Sequence, residues 1–70
     1  MNGLVLIDTS AWICFFARKE FADIKRSVSF LLDENMAAMA GPILVELLQG
    51  ARSEEERNII KTVAGGIHWF

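Results

Sequence analysis

The chain has little cysteine, no excess of positive charge and no long uncharged stretch, and each scarcity removes a class of answer. One cysteine in 70 residues cannot form an internal disulfide. A disulfide-stapled scaffold is excluded, and a reducing compartment fits. Seven Lys and Arg against nine Asp and Glu leave a formal charge of −2. No general basic field therefore points to nucleic acid. No Lys or Arg precedes the first apolar run and Asp8 interrupts it, so Met1 to Ala17 does not read as a signal peptide. No uncharged stretch nears the roughly 20 residues of a membrane span. The expectation is a soluble cytoplasmic protein without repeats, linkers or low-complexity segments.

What the sequence holds in quantity is apolar residues, 53% of the total with five Phe and two Trp. Seventy residues allow one domain. A protein this short buries only about 60% of its unfolded surface, so it has little interior for that load. Either it oligomerises through an apolar surface, or it is the front portion of a larger domain. Ile67-His68-Trp69-Phe70 reads as the start of a further strand cut off after four residues and favours the second.

The organising stretch is Leu4 to Trp12. Leu4-Val5-Leu6-Ile7 reads as a short strand buried on both faces. It stops at Asp8, and Thr9-Ser10 follow as residues that open helices. Strand, turn and helix place Asp8 at the carboxyl end of the strand, the edge where open α/β sheets bind ligands. A charge there is costly to desolvate without a partner.

Ala11 to Arg18 is apolar nearly all round, as in a short buried helix capped by Ser10 or Thr9. Arg18-Lys19 suit its carboxyl end, and Cys14 inside it reads as a small buried hydrophobe. Phe21, Ile24, Val28, Leu31 and Leu32 make one helical stripe over Phe21 to Glu34, and Asn35 suits a left-handed cap. Met36 to Ala40 has helix-forming residues, but a run of five between Asn35 and Gly41-Pro42 suits a core strand. Pro42 opens the next helix, with Ile43, Leu44, Leu47 and Leu48 inward and Gly50 as its cap. Glu46 lies beside Leu47 and three residues from Ile43, at the border of that apolar face. Ser53 and Glu56 form a capping box, so the Glu54–Glu56 run needs no metal. Ile59, Ile60, Val63 and Ala64 make the last stripe, closed by Gly65-Gly66. The order β-α-α-β-α-α-β predicts an α/β fold with a parallel sheet flanked by helices, its strands ending on one edge.

Asp8 ends the first strand, and Glu46 stands one turn, about 5.4 Å, into the helix after the second. The two carboxylates can therefore converge. At about 4 Å they repel by roughly 1 kcal/mol in water and roughly 4 kcal/mol at an effective dielectric near 20. Mg2+ or Mn2+ is the natural compensation. Such an ion can provide a nucleophilic hydroxide and neutralise a phosphoryl oxygen. Ser10, at a helix start, can hold a water or a phosphate oxygen. The plainer reading is that Asp8 caps the first helix and Glu46 reaches solvent.

At Leu4-Val5-Leu6-Ile7-Asp8-Thr9-Ser10 and Glu46-Leu47-Leu48-Gln49-Gly50 the sequence resembles the amino-terminal half of a PIN domain, of the type found in the VapC ribonuclease toxins of toxin–antitoxin systems. The likeness covers essentially all 70 residues and about half of a usual PIN domain, an incomplete Rossmann-like unit. It implies Mg2+- or Mn2+-dependent endonucleolytic hydrolysis of RNA. Asp8 and Glu46 match metal-holding acidic positions, and Ser10 matches the polar position after the first. It also implies an antitoxin partner and a homodimer. The family's further acidic residues have no counterpart here, and His68 does not replace them. Weak or no cleavage is therefore expected of these 70 residues alone. Arg18-Lys19 and Lys25-Arg26 are the candidate RNA-facing edge. Two other readings stand beside it. One is a non-catalytic interaction or dimerisation module. The other is a haloacid-dehalogenase-like phosphatase, although Ser10 stands where that chemistry needs a second Asp.

Overall fold

The computed structural model describes residues 3–17 and 20–70. Its elements are β1 (Val5–Leu6), α1 (Thr9–Phe16), α2 (Ala22–Asp33), β2 (Ala37–Met39), α3 (Gly41–Gly50), α4 (Glu54–Gly65) and β3 (His68–Trp69). This is the order expected from the pattern of apolar residues. The strands form one parallel sheet, β1-β2-β3. Val5 pairs with Ala37 and Leu6 with Ala38; Ala38 in turn pairs with His68 and Met39 with Trp69.

The central strand is β2, and its three residues are all buried. Parallel strands put alternate residues on opposite faces. Ala37 and Met39 enter the hydrophobic core with Ile7, while Ala38 does not. Ala38 therefore sits on the other face, between its row neighbours Leu6 and His68. The helices complete the core with Trp12, Val28, Leu47, Ile60 and Ala64. Trp12 is its centre. It is fully buried, stacked on Phe16 at 5.8 Å and met edge-on by Phe15 at 5.9 Å.

The first strand departs from expectation. Leu4, Val5 and Leu6 are exposed, Leu6 to 48%, and only Ile7 of the run is buried. Leu6 lies on the face turned from the hydrophobic core, in the row of Ala38, and β1 has a neighbouring strand on one side among the described residues. Helix α1 starts at Thr9 because Asp8, rather than Ser10 or Thr9, is its N-cap. It is not buried all round, since Ile13 is 58% exposed. Cys14 is half-buried.

Helix α2 is entered through two consecutive left-handed residues, Glu20 (φ 64°) and Phe21 (φ 56°). Phe21 is thus the cap before the helix and is exposed, outside the apolar stripe to which the spacing assigned it. The far end matches the cap predicted there. Asn35 takes φ 59°, its N–H bonds to Leu32 O, and the N–H of Met36 bonds to Leu31 O. That pair of bonds is a Schellman closure. Gly50 is not the cap expected of it, while Gly65-Gly66 close α4 as expected. Gly50 and Gly65 are the last residues of their helices, Ala51 and Gly66 occupy the caps, and no described glycine has positive φ. Helix α4 opens at Ser53, its expected cap, but the return bond from the Glu56 carboxylate goes to the residue before the cap and not to Ser53 N–H. Ser53 Oγ accepts from Glu56 N at 3.1 Å, and Glu56 Oε1 accepts from Arg52 N at 2.7 Å. Ile59, assigned to the buried stripe, is exposed. Among the described residues no helix is long and apolar enough to cross a membrane.

Candidate functional site

The first turn of α1 is the centre of the site. Asp8 leaves β1 in extended conformation (φ −65°, ψ 152°), and its backbone carbonyl oxygen accepts from Ala11 N and Trp12 N at 3.1 Å each. The Asp8 carboxylate then turns to the helix it opens. Oδ2 accepts from Ser10 N at 3.1 Å and from the Ser10 hydroxyl at 2.5 Å. Such bonds favour the ionised form. The Ser10 hydroxyl holds the Asp8 carboxyl below its ordinary value of 3.8, the Ser10 N–H adds to that, slight desolvation opposes it, and the Thr9 N–H lowers it further. Asp8 is exposed, and none of the described polar or charged residues is buried. The desolvation cost expected for a charge at this edge is therefore small.

Glu46 reaches the same turn from α3. The Thr9 hydroxyl donates to Glu46 Oε1 at 2.7 Å across 37 residues of sequence. Helix packing makes this possible, because α1 lies against α3. The residues on either side of Thr9, Asp8 and Ser10, are the ones already tied together. Asp8, Thr9, Ser10 and Glu46 are thus one connected group at the carboxyl end of β1. Glu46 is exposed beside buried Leu47; what fixes it is the Thr9 hydroxyl.

The group is not a closed cage. Glu46 lines a cavity of about 490 Å3 between α1, α3 and α4, with Glu20, Arg52 and Glu56 at its rim. Asp8 lines a separate cleft of about 390 Å3 between β1 and α2, beside Asp23. Among the described residues no group of three or more His, Cys, Asp or Glu is gathered in metal-binding range. The carboxylates reach one turn and look into different hollows.

Ser10 is committed to Asp8 rather than turned to a ligand. Thr9 is the residue the sequence undervalued: it stood out only as a helix opener. The available signal was a second hydroxyl beside the strand-end acid, which marks a donor but names no acceptor. His68 is apart from the site, its Nε2 3.0 Å from Asn35 O.

The expected basic edge also changes. Arg18 and Lys19 lie outside the described residues. Lys25 turns back on α1, its Nζ donating to Phe15 O at 3.1 Å and to Ala17 O. Arg26 pairs with Asp23 at 3.3 Å on the surface. Lys25 is therefore spent on the end of a helix whose last carbonyls lack partners. No protein-family model, curated protein or solved structure matches the sequence.

Proposed function

We propose that these 70 residues are the amino-terminal portion of a PIN-like, metal-dependent endoribonuclease of the toxin type. Asp8 and Glu46 are its acidic ligands, and Ser10 is the residue that orients the first. One observation carries the reading: the Thr9 hydroxyl holds Glu46 at the turn that Asp8 caps, bringing carboxylates 38 positions apart to one sheet edge. Asp8 is ionised and directed by Ser10, as a ligand for a hard cation has to be. Two carboxylates suit Mg2+ or Mn2+, which commonly take one or two from the protein and complete their shell with water and substrate phosphate. When bound, such an ion supplies positive charge at a phosphoryl oxygen and a more acidic water. The protein's share is to fix two ligands and to leave their outer sides open to an RNA phosphate. With only two acidic ligands it cleaves weakly or not at all on its own. An antitoxin and a second copy are the partners this reading implies.

A second reading has its own support. Leu4, Leu6, Trp69 and Phe70 are all exposed on the sheet and at its edges, as in a non-catalytic interaction module. Thermal melting with and without Mn2+ separates the two. The nuclease reading expects Mn2+ to raise the melting temperature and Glu46→Gln to abolish the rise. It also expects any RNA cleavage with Mn2+ to vanish in Asp8→Asn. A folded dimer indifferent to Mn2+ would leave the interaction module standing and the nuclease without support.

A further inference from the structure

We draw no further inference here: the strongest candidate, the cavity of about 490 Å3 between α1, α3 and α4 with Phe16, Phe21 and Ile59 on its walls, opens beside Glu46 of the site already described, and nothing in the structure shows what covers it.

Discussion

Asp8 does two jobs with one carboxylate: it caps α1 and it is the first ligand of the proposed site. Its bonds to Ser10 set a pH dependence. A carboxylate held below its ordinary value stabilises the fold fully above that value, near 3.8, and the contribution disappears as pH falls through the lower folded value. The Asp8 carboxyl followed by NMR is therefore expected to titrate below 3.8, and Ser10→Ala to move its midpoint upward. No change in Ser10→Ala would show that the Ser10 bonds do not hold it. Trp12 supplies a second residue-scale prediction. It is wholly buried, and its Nε1 is without a partner among the described residues. An unmade buried hydrogen bond costs about 1–3 kcal/mol. Trp12→Phe recovers that cost while losing some contact, so it is expected to change stability by under about 1.5 kcal/mol. Trp12→Ala leaves a large void and costs about 3–5 kcal/mol, enough to unfold a domain this small. Urea denaturation of the three proteins checks both.

At the scale of elements, joints explain more than spans. Lys25, on α2, donates to the Phe15 and Ala17 carbonyls at the end of α1, so it fastens one helix to the next. Lys25→Met retains the aliphatic stem and removes the cap, and it is expected to cost about 1–2 kcal/mol in urea unfolding. Unaltered stability would mean that solvent satisfies those carbonyls equally well. The joints also show what sequence can and cannot reveal. Asn35 was readable because few residues tolerate the left-handed conformation that closes α2. The Ser53 cap was readable because its bond from Glu56 N–H is local. Strand β2 was readable from its length between two breakers, against the helix propensity of Met and Ala. Gly50 misled because glycine permits a left-handed cap without requiring it. Phe21 misled because an apolar residue in register with a helix need not belong to it. The apolar run of β1 looked doubly covered because hydrophobicity does not disclose which strand is central. Glu46 and Thr9 meet only because α1 packs on α3, a contact between residues far apart in sequence.

At the scale of the whole molecule, a three-stranded parallel sheet carries one hydrophobic core and two open edges. Among the described residues ten large apolar ones remain exposed, from Leu4 to Phe70. Leu4, Leu6, Trp69 and Phe70 among them are the ones the module reading draws on. The catalytic reading depends on something narrower, that Asp8 and Glu46 share one cation. The most direct measurement is paramagnetic broadening by Mn2+ in amide NMR spectra of the intact protein. If the two carboxylates share an ion, signals around Asp8 and around Glu46 broaden together at the same Mn2+ concentration, and Glu46→Gln removes the broadening at Asp8 as well. Broadening at one position alone, or at neither, would contradict a shared ion and with it the proposed nuclease site.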